Sequence, residues 1–573
     1  MKNLSNKNKS VQVEIIKEKL GILDKANLIM SPDEEIEFFL NINVPEEKNY
    51  KFEINIKDGE KLVLRYIYSP KIEYSPIVIE LLKPFYRNSI YSTQKLEEIV
   101  VKVRLCLKED KIKGTNTEIL IVDKGNNTIT RKIDTSKKEA NFNLEVPQTE
   151  GEYKIVGKLI KEGQTMFESN IPLYKLAPSK GNEVYVDENL NLILNGKPIM
   201  PIMWWAEMSY AEEIVETGAD GLISWPSKSY LDKLKDLKLF AEVSLFTIEE
   251  LKSFLVGKET LSEQAKENIT KKIKSIKDHP ALLFYYLVDE PEIRNIGPNV
   301  LKEAYQLIKE LDPYHPIQIT NDTVKGIETY IECADLFFPD PYIHPIIDGT
   351  SKQPMKYIIA FMEEVRKAGK GRKFIGITPQ VFDYGKVYAR KPPYSTRGER
   401  APTFVEERCM NYLAIVYGAK GFNYYVYGRK EEGHWGAINI PDLRVGMPYL
   451  IKEKKSLSEV ILLGKDVKEK VKIENEKIHY SVKDLNEKIY IIAVNIEPVE
   501  VNTVIKIPDN IKKLKVVSEK REIDVKSGIF TDRFSPYEVH IYTDDLKFQD
   551  VIDLKKVEEE IKKEGGFYTY KYK

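Results

Sequence analysis

Cysteine and histidine are scarce in this chain, and each scarcity excludes something. The three cysteines among 573 residues, Cys106, Cys333 and Cys409, lie far apart. They do not form a disulfide framework, and no pair has metal-ligand spacing. The six histidines are scattered and build no metal motif, so neither a metal nor another cofactor is expected. Neither sign of charge prevails, with 88 Lys and Arg against 89 Asp and Glu, which removes the electrostatic reason to expect a nucleic acid or other polyanion as partner. No apolar run is long enough to span a bilayer, so no membrane is expected. The opening Met1-Lys2-Asn3-Leu4-Ser5-Asn6-Lys7 lacks an apolar stretch and does not read as a signal peptide. A cytoplasmic location follows if Met1 is the native start, and a secreted or cell-surface one if a signal has been removed.

A chain of this length exceeds a single core, so the expectation is multidomain. Up to about residue 178 it reads as all-β: alternating stretches such as Lys51-Phe52-Glu53-Ile54-Asn55-Ile56 and Glu98-Ile99-Val100-Val101-Lys102-Val103 are separated by turn residues. Two immunoglobulin-like β-sandwich modules are expected, at 11–95 and 96–178, divided near 92–96, with a scaffolding role favoured over carbohydrate binding. From 184 to 468 strand-like and helix-like runs alternate, the signature of βαβ units. Eight strands are expected at 199–205, 221–225, 239–246, 282–288, 317–320, 335–338, 374–378 and 421–426. Between them, Ala265, Ile269, Ile273 and Ile276 share one helical face, as do Leu301, Ala304, Leu307, Ile308 and Leu311 after Pro298. Thr403-Phe404-Val405-Glu406 is a capping box, and Gly418 stands where a C′ glycine would end its helix. This pattern predicts a central (β/α)8 TIM barrel. An open doubly wound sheet is disfavoured because no glycine-rich phosphate turn follows the first strand. A small C-terminal β-sandwich is expected at 470–545, then a tail at 546–573 with one charged helix and an aromatic end, for which peripheral docking is the plain expectation.

The most informative stretch is Leu283-Phe284-Tyr285-Tyr286-Leu287-Val288-Asp289-Glu290-Pro291-Glu292. Its apolar run reads as a strand covered on both faces. Pro291 cannot continue a central ladder, so the strand ends at two adjacent acids, where α/β active sites lie. The competing reading is that the acids merely suit a helix N-terminus.

Together with two other passages, this strand resembles glycoside hydrolases of the (β/α)8-barrel superfamily, the β-galactosidase and cellulase type with flanking β-sandwiches. Leu194-Asn195-Gly196-Lys197-Pro198 is similar to the start of such barrels, and Ser535-Pro536-Tyr537-Glu538-Val539-His540-Ile541-Tyr542 is similar to the last strand of the C-terminal sandwich. The likeness runs from about residue 184 to 542. It implies an O-glycosyl hydrolase of carbohydrate metabolism acting on an oligo- or polysaccharide, with Glu290 as general acid/base. The sequence departs from the commonest pattern twice. Asp289 replaces the usual Asn before the acid, and the seventh strand ends on Gln380 where retaining enzymes place a nucleophilic Glu. An amide cannot be that nucleophile. The adjacent Asp-Glu pair resembles that of N-acetyl-hexosaminidases. There the sugar's own 2-acetamido oxygen attacks, the Asp orients it and the Glu protonates the leaving oxygen. On that likeness Asp289 orients and Glu290 is the acid, provided the strand's pleat breaks so that both face one sugar.

Other acids at strand ends are candidates for a second carboxylate. Asp340, between Pro339 and Pro341, is the first choice; Asp322, Glu207 and Asp383 follow. Each also fits an ordinary loop or helix-start acid. Sugars present flat C–H faces, which aromatic side chains cover. Trp204, Trp205, Trp225, Tyr342, Tyr425 and Trp435 stand at or beyond strand ends, although neighbours Trp204 and Trp205 cannot both face inward. Arg429 and His434 belong to a loop placed to cover the site, and Arg400 lies before Pro402, with surface charge or loop roles the simpler readings. Two alternatives stay open: a degenerate barrel that binds carbohydrate without turnover, prompted by Gln380, and an intracellular structural or assembly protein, prompted by the leading sandwiches and the absent signal.

Overall fold

The computed structural model describes residues 7–17, 21–32, 52–68, 75–388, 398–428 and 435–572. They fall into two units, one comprising 1–83, 97–148 and 152–173 and the other 84–96, 149–151 and 174–573.

The first unit is antiparallel β-structure. Lys9–Lys17, Gly21–Met30, Phe52–Asp58 and Lys61–Tyr68 make a four-stranded sheet. Ile77–Lys83 pairs with Glu98–Leu105, Ile77 opposite Leu105. The boundary expected at 95/96 therefore falls between two partners of one sheet. The long excursion 84–96 separates those strands in sequence, which hid their pairing.

The second unit is built around eight parallel strands. We label them β1 (Ile202–Trp204), β2 (Gly221–Ser224), β3 (Phe240–Ser244), β4 (Leu282–Asp289), β5 (Ile317–Thr320), β6 (Leu336–Phe337), β7 (Phe374–Ile375) and β8 (Phe422–Tyr424). Hydrogen bonding runs in order from β1 to β7, and β8 pairs with β1. Parallel bridges Ile377–Phe422 and Gln380–Tyr425 join the ends of β7 and β8. The sheet thus closes on itself as a (β/α)8 barrel.

Helices return the chain between strands. In Glu263–Ile276 the residues Ala265, Ile269, Ile273 and Ile276 are buried on the face the periodicity predicts. Pro298–Leu311 begins on its proline, where the missing N–H costs no helical bond. Both halves of the Thr403/Glu406 capping box form at the start of Phe404–Val416, and Gly418 follows with φ +97°, a left-handed C′ position that glycine takes without a Cβ clash.

β1 starts later than the sequence suggests, because Lys197–Ile199 pairs with Leu192–Leu194 in a separate small sheet. That sheet closes the barrel's N-terminal end, where Val184, Tyr185 and Leu192 pack with Met203, Phe284 and Phe374. The C-terminal sandwich stands as a six-stranded sheet and a three-stranded one between Lys465 and Thr543. After the helix Leu554–Lys563, the tail docks on the barrel's own helical layer. The Asp442 carboxylate accepts the backbone N–H groups of Phe567 and Tyr568, Tyr568 stacks on Phe404, and the Tyr570 hydroxyl donates to the Ile347 carbonyl. Among the described residues no helix is long and apolar enough to cross a membrane.

Candidate active site

The site grows from the end of β4. From Leu282 to Val288 every side chain is buried, so the strand is fixed from both faces and its end is a rigid mount. Asp289 is still paired, opposite Thr320 of β5. At Glu290 the backbone turns to φ +42°, a region a non-glycine residue seldom occupies, and this breaks the alternation. No helix starts here: the chain makes a turn in which the Arg294 N–H donates to the Glu290 carbonyl at 3.3 Å, and the next helix begins at Pro298.

That turn swings Arg294 back over both acids. Its Nη2 lies 2.5 Å from Asp289 Oδ2 and 3.4 Å from Glu290 Oε2, and its Nε donates to the Asp289 carbonyl at 2.6 Å. One nitrogen touches both carboxylates, so neighbours that a regular strand would point apart converge on the same side. Asp289 is held further by the Tyr286 hydroxyl, which donates to Oδ1 at 2.8 Å.

β5 and β6 bring two more acids to this point. One carboxylate oxygen each from Glu290, Asp322 and Asp340 lie within 4.8 Å of one another. Asp340 is buried, its N–H held by the Asn321 carbonyl at 3.2 Å, and its Oδ1 has no hydrogen-bond partner. Burial, with the charges of Asp289 and Asp322, raises Glu290 to about 7 against the opposing pull of Arg294. Asp322 is raised to about 6 by burial and the charges of Glu292 and Asp289. Asp340 is pushed well above the carboxylate range, by burial first and then by Glu290. Like charges this close cannot all ionise, so the cluster retains a proton near neutrality. The trio is also an all-oxygen set of the kind hard divalent cations accept, the one such grouping among the described residues.

Sequence reasoning missed three residues here. Glu242 on β3 is wholly buried inside the barrel, with Oε2 accepting from Asn423 Nδ2 at 2.8 Å. Burial, with a smaller push from the charge of Asp289, raises its carboxyl well above the ordinary range. An acid in the apolar run Phe240-Ala241-Glu242-Val243 was its available signal. Glu292, unlike Asp289 and Glu290, stands at a helix N-terminus, that of Val324–Tyr330, which Thr323 caps. It accepts from the Thr323 N–H and from Asn321 Nδ2, both at 3.0 Å, beside Gly326, where a Cβ would stand 2.1 Å from its Oε1. Arg294 had only its spacing from the acids to mark it.

Other expected residues divide. Trp205, Glu207, Trp225, Tyr425 and Asp289 line one cavity of about 940 Å3 at the mouth. Trp205 packs edge-on against Tyr286 and Tyr425. Trp204 does not reach it: the alternation turns this side chain outward into the helical layer, fully buried against Tyr424 and Tyr427. Gln380 is also fully buried, accepting from the His344 N–H at 2.9 Å, and serves as a bracket between loops. Trp435 is buried against Phe382 and Tyr425. Tyr342 is half-buried beside Phe382 and His344, its N–H on the Asp340 carbonyl. Asp383 keeps to its own turn, accepting from the Lys386 N–H at 3.1 Å. Arg400 is engaged bidentately by Glu406. Arg429 and His434 lie outside the described residues.

No protein-family model and no curated protein sequence matches this chain. Solved structures similar to it are glycoside hydrolases. A β-glucuronidase from Ruminococcus gnavus, in complex with D-glucuronic acid, is 12% identical over 62% of this chain and 62% of its own, with a TM-score of 0.33. An FMN-binding β-glucuronidase from Facaelibacterium prausnitzii L2-6 is 11% identical over 93% and 85%, TM-score 0.32. A family 39 glycoside hydrolase from Bacteroides cellulosilyticus WH2 is 10% identical over 75% and 94%, TM-score 0.39. At these scores the fold assignment rests on the closed order of the eight strands, and any function on the site itself.

Proposed function

We propose that this chain is a glycoside hydrolase acting on 2-acetamido sugars by substrate assistance, with Glu290 as general acid/base and Asp289 as the orienting carboxylate. The observation that carries the reading is the convergence of both carboxylates on one nitrogen of Arg294. In the first step the acetamido oxygen attacks the anomeric carbon. The bond to the leaving oxygen breaks, and that oxygen takes the Glu290 proton. Asp289, fixed by Arg294 and Tyr286, accepts the acetamido N–H as positive charge develops there. In the second step water adds to the anomeric carbon, returns a proton to Glu290 and frees the acetamido oxygen.

One carboxylate oxygen of Asp340 lies within 4.8 Å of one of Glu290, and Asp340 is buried. Attack by Asp340 on the opposite face is the competing route, and it takes carboxyl groups ~5–5.5 Å apart. Burial pushes Asp340 well above the carboxylate range, which makes it a poor nucleophile, and no attack on the sugar is assigned to it.

The test is hydrolysis of fluorogenic aryl glycosides, with and without the 2-acetamido group, by wild type and Glu290→Gln. Activity confined to acetamido sugars and reduced ~10²–10⁴-fold in the variant is expected. Equal activity on plain hexosides would overturn substrate assistance. Binding without turnover would favour the non-catalytic carbohydrate-binding reading.

A further inference from the structure

Glu242 is a buried acid that the reaction above does not use. In the barrel's strand order β3 and β8 are separated by β2 and β1, yet Asn423 Nδ2 of β8 donates to Glu242 Oε2 of β3 at 2.8 Å. The bond therefore crosses the barrel's interior and does not follow its wall. Both side chains are wholly buried. The other oxygen of each group, Glu242 Oε1 and Asn423 Oδ1, has no hydrogen-bond partner among the described residues. Buried acceptors are almost always paired, and two orphaned oxygens on an acid and an amide already bonded to each other lack a hydrogen between them. A carboxylic acid supplies it, because a proton on Oε1 turns that oxygen into a donor. An ionised Glu242 would leave both orphaned and bury a charge on which, among the described residues, no cation acts.

This pair lies beneath the site. Two residues further along the same face of β3, Ser244 stands beside Tyr286 of β4, whose hydroxyl holds Asp289. The titratable groups that face Glu242 are these two, Tyr286 and Asp289. Its ladder partners, Ile223 on β2 and Phe284 on β4, are apolar. On the other strand, Asn423 leads two residues on to Tyr425, which packs edge-on against Trp205 at the mouth.

We propose that Glu242 is a positioning residue for Asp289: as an uncharged acid it closes two hydrogen bonds with Asn423, ties β3 to β8 beneath Tyr286, and keeps a second negative charge away from the carboxylate that orients the acetamido group. This rests on the reading of Asp289 given above. An anion in its place would repel Asp289 across a low-dielectric interior.

The experiment compares wild type with Glu242→Gln and Glu242→Leu. The infrared spectrum of wild type minus that of Glu242→Gln, at neutral pH, should show the carbonyl band of a protonated carboxyl. With an aryl 2-acetamido glycoside, Glu242→Gln should keep kcat within about threefold, because its amide can close the same two bonds, and Glu242→Leu should lower kcat about tenfold while KM changes less than about twofold. Both limbs of the pH–rate profile stay in place in Glu242→Gln, since no charge is removed. Limbs that move down, as neighbouring carboxyls do on losing an anion, overturn the inference. So does a carboxylate band in the difference spectrum, or a Glu242→Gln loss as deep as that of Glu242→Leu. The protonated band with no wild-type turnover would defeat the hydrolytic reading alone. Turnover by wild type with a carboxylate band would defeat the positioning role alone.

Discussion

Glu290 owes its proton to a contest in which the terms have known signs. Burial and the charges of Asp289 and Asp322 favour the acid form, and Arg294, with a smaller pull from Asp340, opposes them. Removing the cation should therefore move the group's titration upward. Arg294→Met is expected to shift the alkaline limb of the pH–rate profile above its wild-type position near 7. It should also lower kcat, since Asp289 loses its clamp. A limb that stays in place or moves down would show that another group sets it. The acidic trio allows a second test. If a shared proton relieves its repulsion, dialysis against EDTA leaves hydrolysis of the acetamido glycosides unchanged; loss restored by Mg2+ or Ca2+ would show that a cation holds the site together. At this scale the sequence disclosed only part of the site. Asp289 and Glu290 were visible because an apolar run ends on them at a proline. Arg294 was not, because its direction depends on the positive φ of Glu290, which no residue preference announces. Alternation allowed only one of Trp204 and Trp205 to face inward, but choosing between them required knowing which side of β1 meets the helices.

Elements with local signals matched their expected positions, and those with only tertiary causes did not. The helix Phe404–Val416 was legible from both ends, by its capping box and by Gly418. Its cap is tied into a larger network, because Glu406 also binds Arg400 through both carboxylate oxygens. Thr403→Ala should cost about 1–2 kcal/mol in urea unfolding of the second unit. Glu406→Gln should cost more than an exposed cap would, since it leaves the Arg400 guanidinium, stacked 4.0 Å from the Tyr570 ring, without its carboxylate. Equal small losses for both would show that the cap acts alone. By contrast, β6 and β7 are each only two residues long. Their flanks read as strand by apolarity, yet the chain there is held by single bonds, such as the Thr378 N–H to the Pro339 carbonyl. Hydrophobicity marks burial in such places, and ladder length is settled by neighbouring strands.

At the scale of the whole chain, the barrel depends on a segment far from it in sequence. Arg87, within the excursion 84–96, forms a buried ion pair with Asp335 just before β6 at 2.5 Å, both side chains under 5% exposed. Asp335 also accepts from the Tyr305 hydroxyl at 2.9 Å and from the Ile317 N–H at 2.9 Å. Removing one partner strands the other charge in the interior. Arg87→Met should cost about 3–5 kcal/mol of the second unit's stability. The measurement is denaturant unfolding of the full chain, and a loss below 1 kcal/mol would mean that water reaches Asp335. No local signal announces this pairing, because 248 positions separate its members.

The same pair has a consequence for how this molecule can be cut and recombined. The path of the chain assigns 84–96 to the barrel's unit although β-structure of the other unit precedes and follows it. No single break in the polypeptide releases the barrel whole. A fragment beginning at residue 184 carries Asp335 without Arg87, and also Glu183's partners Ser92 and Thr93 are gone along with Glu183 itself. The barrel is one compact unit made from separate stretches of chain, and grafting it onto another scaffold would have to bring those thirteen residues along or replace Asp335 with something that needs no cation.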